Sequence, residues 1–192
     1  MEYIAGIDEV GRGALFGPVV AGAVILAPAQ MKQLAQQGVT DSKKLSAQRR
    51  EILFKDILQS STACAIGLAS VAEIDRINIL QASLLAMKRA IARLSCKPTL
   101  CLVDGNQLIP NLAIPQESIV KGDESSLAIA SASIIAKVWR DRLIIRMAQR
   151  FPQYDLMSNK GYGTQKHRDA IQKLGPCRYH RLSFKPCQVS TH

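Results

Sequence analysis

Ala5-Gly6-Ile7-Asp8-Glu9-Val10-Gly11-Arg12-Gly13 is an apolar run that closes on two adjacent acids and then breaks into a Gly-Arg-Gly turn. A second apolar run, Val19 to Leu26, follows. Two such runs joined by a Gly/Pro-rich turn read as paired strands. Carboxylates at the mouth of a buried strand cost free energy unless something binds them. A divalent cation is the simplest partner, and glycines let a substrate approach the backbone.

Working outward, Tyr3–Asp8 and Val19–Leu26 are the first two strands. Val39–Leu45 is polar and loop-like, Ser46 can cap a helix over 47–59, and Cys64–Val71 reads as a third strand. Three strands with one short helix among them predict an antiparallel meander. Asp75–Leu94 sets Ile79, Leu80, Leu84, Met87, Ala90, Ile91 and Leu94 at helical spacing. Thr99–Val103 and Ser118–Val120 are short apolar strands that end in Asp104-Gly105 and Lys121-Gly122-Asp123. Buried strands flanked by helices predict parallel pairing in this half. A long Ala/Ser-rich helix over Ser126–Gln149 stops at Pro152. A loop, Ser158–Thr164, precedes a helix over Gln165–Leu174, and the tail past Gly175-Pro176 reads as extended. The order describes an α/β fold with a mixed five-stranded sheet flanked by helices. Residues 1–192 read as a single domain, with residues about 150–192 as a helical and extended, basic C-terminal appendage.

The 192 residues carry a net charge of +10, unevenly spread. Residues 1–136 hold 13 Lys/Arg against 12 Asp/Glu, whereas 137–192 hold 12 against 3. A basic C-terminal third beside a nearly neutral body points to a polyanion, with a solvated face as the plainer reading. Cys64, Cys96, Cys101, Cys177 and Cys187 are odd in number and scattered, without zinc-ligand spacing. Reduced thiols and a cytoplasmic location follow as expectations. Met1-Glu2-Tyr3 lacks the basic start of a signal peptide, and Asp8 and Glu9 would interrupt its apolar core. No uncharged apolar run reaches the roughly 18 residues of a membrane span, so no membrane partner is expected.

Asp8, Glu9, Asp104 and Asp123 stand out by position, each following apolar residues at a strand end and lying near glycine. Ligands of α/β sheets gather at strand ends. Were these ends adjacent, two Mg²⁺ ions would neutralise a charge of about −4 through oxygen ligands alone. Ions about 3.5–4 Å apart can hold both the attacking and the leaving oxygen of a displacement at phosphorus. Two points stay open. Neighbouring strand residues face opposite ways, so the long Glu9 side chain and the turn at Gly11 must bring the two together, or only one of them is a ligand. Asp104-Gly105 is also an ordinary turn dipeptide, and Asp123 could cap the following helix.

These residues resemble the ribonuclease HII, or type 2 ribonuclease H, family. Asp8-Glu9-Val10-Gly11-Arg12-Gly13 is similar to its opening signature, and Asp41-Ser42-Lys43-Lys44-Leu45 to its second block. Val103-Asp104-Gly105 and Lys121-Gly122-Asp123 resemble its other acidic blocks. Ser131 to Val138 with Arg140-Asp141, Lys160-Gly161-Tyr162-Gly163-Thr164, and His180-Arg181-Leu182-Ser183-Phe184 resemble the rest, in family order over nearly the whole chain.

The resemblance implies an RNase H-like fold and endonucleolytic cleavage of RNA in RNA–DNA hybrids. It also implies cutting on the 5′ side of single ribonucleotides in duplex DNA, leaving 3′-hydroxyl and 5′-phosphate ends. It makes Asp8, Glu9, Asp104 and Asp123 the carboxylates of a Mg²⁺ or Mn²⁺ site. Gly11, Arg12 and Gly13 would read the ribose 2′-OH, the group that separates RNA from DNA. Tyr162 would pack on the sugar of the next deoxynucleotide, and Lys43, read from the residues alone, is a candidate for phosphate contact beside the plainer reading of a solvated side chain. The partners implied are the hybrid and ribonucleotide-containing duplex, with the protein a monomer. Lys44 and Lys137 are further phosphate candidates, and Asp141 reads as an ion-pair partner or cap. His167 and His180 have no evident partner in the sequence. The tail Lys185–His192 could recruit a replication partner, although it carries no clear motif. The rivals are another metal nuclease of the same fold and a non-catalytic hybrid-binding module.

Overall fold

A computed structural model describes residues 3–188. Its centre is a five-stranded sheet of order β3-β2-β1-β4-β5. The strands are β1 (Ile4–Val10), β2 (Val19–Ile25), β3 (Ala63–Ala69), β4 (Leu100–Asp104) and β5 (Gln116–Ile119). β1, β2 and β3 form the antiparallel meander expected, and β1–β4 and β4–β5 pair in parallel. The sheet is therefore mixed, with β1 at the join.

Helices cover both faces: α1 (Pro28–Gln36), α2 (Ala47–Ser60), α3 (Val71–Ala92), α4 (Gly122–Ser125), α5 (Leu127–Ala148), α6 (Leu156–Asn159) and α7 (Gln165–Leu174). On one face Ala5, Ile7, Ala21 and Ala23 pack against Ile74, Ala86, Met87 and Ala90 of α3. On the other, Val24 packs with Leu34, Leu53, Ile57 and the α5 residues Ala132, Ile135 and Val138. Gly6 and Gly22 let α5 lie directly on the sheet. A β-carbon on Gly6 would stand 2.1 Å from the Ala128 carbonyl carbon, and one on Gly22 would stand 2.4 Å from the Ala132 oxygen. This close approach sets Ser133 of α5 beside the end of β1.

Several boundaries differ from the sequence reading. β1 continues two residues beyond Asp8, because pairing with β2 runs to Val10 opposite Val20. α1 escaped notice, although Pro28 at its first position and Gln30, whose side chain accepts the Ala27 N–H at 2.7 Å, are start signals. α3 starts at Val71, four residues before the expected Asp75. Ser70 and Glu73 form a capping box there, and Asn78 breaks the helix at φ 66° and caps its second part through the Gln81 N–H. The tail is turned rather than extended. It forms a bridge from His180 to Phe16 and a 3₁₀ turn at Lys185–Cys187, and packs with Tyr154, Leu156 and Ile171. Of the tail Lys185–His192, a candidate for partner recruitment, residues 189–192 lie outside those described.

Among the described residues no helix is long and apolar enough to cross a membrane. All five cysteines are unbridged.

Candidate active site

The parallel register sets Ile7 opposite Val103, and Asp8 and Asp104 are the next residues along the two strands, Asp104 at the carboxyl end of β4. Gly105 turns the chain away at φ 98°. Asp104 reaches across to the segment after β5, where its Oδ1 accepts the Gly122 N–H at 2.7 Å. Asp123 follows, buried, with Oδ2 at 3.2 Å from Lys43 Nζ. Asp123 does not cap the long helix. Ser126 does, accepting the Ile129 N–H.

Asp8 and Glu9 point to opposite faces of the pleat, yet both carboxylates feel Asp104. The longer Glu9 side chain comes near enough for the Asp104 charge to act on it. There Arg12 holds it at 3.3 Å. Asp8 is only 5% exposed. Its Oδ1 accepts the Glu9 N–H at 2.7 Å. The Ser133 hydroxyl lies near enough to favour its charged form. Ser133 Oγ in turn lies 2.9 Å from Ser42 Oγ, which fastens the Asp41–Leu45 segment, and with it Lys43, to the acids.

The electrostatics follow from burial and like charge. Burial, then Glu9 and Asp104, hold the Asp8 carboxyl well above its ordinary range against the Ser133 hydrogen bond. Burial also raises Glu9, opposed by Arg12 and assisted by Asp104. Asp104 is raised by burial and by Asp123, against the Gly122 N–H. Burial acts to lower Lys43, but its bond to Asp123 and the charges of Asp123, Asp41 and Asp8 outweigh this and raise it. Three acids thus lack enough positive charge around them.

The donor set is oxygen only, which suits a hard cation. Among the described residues no group of three or more His, Cys, Asp or Glu forms a ready-made metal cage. Magnesium-type ions fit such a place, because they keep several waters and bind through one or two carboxylates plus substrate phosphate.

Beside the acids lies the turn. Gly11 has φ 89°, and a β-carbon there would stand 2.2 Å from Arg140 Nε. Gly13 faces open space and Arg12 is exposed. Tyr162 forms a bridge with Ala14, while the Leu15 N–H donates to the Gly161 oxygen at 2.8 Å. The turn and the tyrosine loop therefore share one edge. The Tyr162 ring stands 5.5 Å from Lys137 Nζ and 5.4 Å from the Arg140 guanidinium. Lys137 also pairs with Asp141 at 3.0 Å, and Lys44 with Glu124 at 3.2 Å.

Two fully buried arginines shape this edge from beneath. Arg140 donates to the oxygens of Pro18, Lys160 and Phe16. Arg181 donates twice to Gly17 at 3.0 Å and once to Arg12 at 2.8 Å. Burial lowers both, Arg181 to about 9 with a further push from Arg140. Their positive field lies under the turn. The sequence reading placed both arginines inside motif blocks but assigned them no role. Backbone carbonyl acceptors leave no sequence signal, so these contacts were not legible.

The family model described as Ribonuclease HII matches residues 5–187. A relative called Ribonuclease HII from Acaryochloris marina is 65% identical over 189 residues, covering 98% of this chain and 96% of its own. The crystal structure of ribonuclease H2 from Pyrococcus horikoshii OT3 superposes with a TM-score of 0.83 at 25% identity, covering 97% and 95% of the two chains. That of Bst-RNase HIII in complex with Mn²⁺ gives 0.78 at 17% identity, covering 97% of this chain and 68% of the other.

Proposed function

The chain belongs to the ribonuclease HII family, nucleases that cut the RNA of RNA–DNA hybrids, and from this premise we propose that it also incises duplex DNA 5′ of a single embedded ribonucleotide. The products are 3′-hydroxyl and 5′-phosphate ends. The observation that carries the proposal is that the Asp104 charge acts on both Asp8 and Glu9, next to an open glycine turn that faces a tyrosine loop.

Asp8, Glu9, Asp104 and Asp123 would hold the divalent ions, Mg²⁺ or Mn²⁺. The Mn²⁺ complex of the HIII neighbour supports this choice. Bound there, such ions would supply acidification of an attacking water and charge stabilisation for a leaving 3′ oxygen. The chain's own residues do the rest. Ser133 and the Glu9 N–H orient the Asp8 carboxylate, and the Gly122 N–H orients that of Asp104. Lys43, whose side chain is 80% exposed, is free to leave Asp123 for a phosphate once cations arrive. Arg12 can likewise exchange Glu9 for the nucleic acid backbone.

Gly11, Arg12 and Gly13 present backbone groups to the ribose 2′-OH, and the open space at Gly13 leaves room for a sugar. Tyr162 packs on the following deoxyribose and so tests for an RNA–DNA junction. The exposed basic residues past 136, which exclude the buried Arg140 and Arg181, hold the duplex by its phosphates, so binding weakens with salt. We read the enzyme as a cytoplasmic monomer.

The test uses three duplexes in Mg²⁺ and in Mn²⁺: one all DNA, one with a single ribonucleotide, and one with a full RNA strand. Cleavage of the second, 5′ of the ribonucleotide and with the end groups above, supports the proposal. Cutting of the third alone limits the protein to long hybrids, and cutting of the first makes it a general nuclease.

A further inference from the structure

His167 and His180 are buried, 0% and 1% exposed, with their Nε2 atoms 3.1 Å apart. Their other nitrogens meet groups that can play only one role. His167 Nδ1 lies 2.9 Å from the Tyr162 carbonyl oxygen, which only accepts, so this nitrogen carries a proton. The Cys177 N–H donates to His180 Nδ1 at 2.9 Å, so that nitrogen is bare. The single proton between the rings therefore belongs to His180 Nε2 and is given to His167 Nε2. Hydrogen bonding runs in one direction, from the Cys177 amide through two neutral imidazoles to the Tyr162 carbonyl. An added proton on either ring would set two donors face to face.

The series joins three segments. The tail is fastened to the glycine turn: the Gly17 N–H donates to Tyr179, the Arg181 N–H to Leu15, and the Arg181 side chain to Gly17 and Arg12. The His180 ring packs edge-on against Tyr154 at 4.6 Å and Phe16 at 5.1 Å. From this fixed point the two imidazoles reach the tyrosine loop. Neither ring is exposed to a substrate, so any effect on the reaction passes through Tyr162.

We propose that His167 and His180 are positioning residues, a neutral pair of fixed tautomers that sets the distance between the Tyr162 loop and the Gly11–Gly13 turn. The inference rests on the junction-reading role proposed for that turn and tyrosine. It extends that role to two residues that contact neither the acids nor the nucleic acid.

Two measurements decide it. Imidazole ¹⁵N NMR on the unaltered protein at pH 7.5 is expected to show His167 protonated on Nδ1 and His180 on Nε2. The reverse tautomers, or a charged ring, would overturn the pairing, whatever the substrate. The second is kinetic, with thermal melts as a check on folding. His180→Phe keeps a ring against Tyr154 and Phe16 but removes the series. It should lower kcat/KM on the single-ribonucleotide duplex about tenfold or more, and far less on a long hybrid. His180→Gln, which retains one donor and one acceptor, should recover most of the loss. In a Tyr162→Ala background the further loss from His180→Phe should vanish. An equal loss on both substrates, or losses that multiply in the double variant, would overturn the positioning role. If the unaltered enzyme shows no preference for the single ribonucleotide over DNA, the proposed function fails instead, and the tautomers still decide the pair. If His180→Phe does not fold, His167→Gln and the tautomer measurement carry the test.

Discussion

Replacing His180 by Gln should change how stability depends on pH. Burial, and then the neighbouring His167, hold His180 down at about 4 from its ordinary 6.5. Between those values the unfolded chain binds a proton that the folded protein refuses. Stability therefore falls as pH drops through the window from about 6.5 to about 4, and this contribution levels off below it. At 1.36 kcal/mol per pH unit the loss is about 3 kcal/mol, or roughly 6–12 °C in Tm for a chain of this size. His167, also held below its ordinary range by burial, acts in the same direction. The raised Asp8, Glu9 and Asp104 act oppositely, since their cost at neutral pH is relieved as they take up protons. Tyr154, Asp155 and Cys177 also face the pair and are common to both proteins. The difference between parent and His180→Gln curves thus isolates His180. Urea unfolding followed by the single tryptophan, Trp139, at steps from pH 7.5 to 4 gives both curves. The parent should lose about 3 kcal/mol more than the variant as pH falls. Parallel curves would refute the burial argument and the neutral pair with it.

Asp8→Asn and Asp104→Asn should each cut turnover by about 10²- to 10³-fold or more while leaving hybrid binding in place, read by cleavage and by filter binding. Neither should lower Tm, because each removes a charge that burial and neighbouring acids disfavour. Gly22→Ala drives a β-carbon into the Ala132 oxygen and should cost about 1–3 kcal/mol in urea unfolding, with a drop in kcat as Ser133 moves from Asp8. Lys43→Met should weaken binding evenly across sequences and reduce the slope of log K against log salt by about one.

The first two strands and β4 were legible because they are short apolar runs that end near glycine or acids, whereas β5 is the polar, half-exposed Gln116–Ile119 and not the apolar Ser118–Val120 expected. Both the meander and the parallel half were read from the elements between the strands. The acidic residues were legible as strand-end punctuation, and in the register of β1 against β4 Asp8 and Asp104 are the next residues after the pair of Ile7 and Val103. What escaped depends on contacts far apart in sequence. Arg140 and Arg181 bond only backbone oxygens more than a hundred residues away, apart from that of Lys160. The Ser42–Ser133 link spans 91 residues, and no local pattern announces it. The His pair, only 13 residues apart, escaped for a different reason: the rings meet through the turned tail, which the sequence suggested was extended. α1 and the first turns of α3 were misread more simply, since proline and a capping box marked both starts.

Sharing of divalent ions by the acids can be measured directly with Mn²⁺ and electron paramagnetic resonance, on the protein bound to a hybrid whose scissile phosphate resists hydrolysis. Two ions per chain, magnetically coupled and lost together in Asp8→Asn, are expected. Isolated ions, or binding undiminished when Asp8 and Asp104 are both replaced by Asn, would contradict catalysis by shared metals at this site.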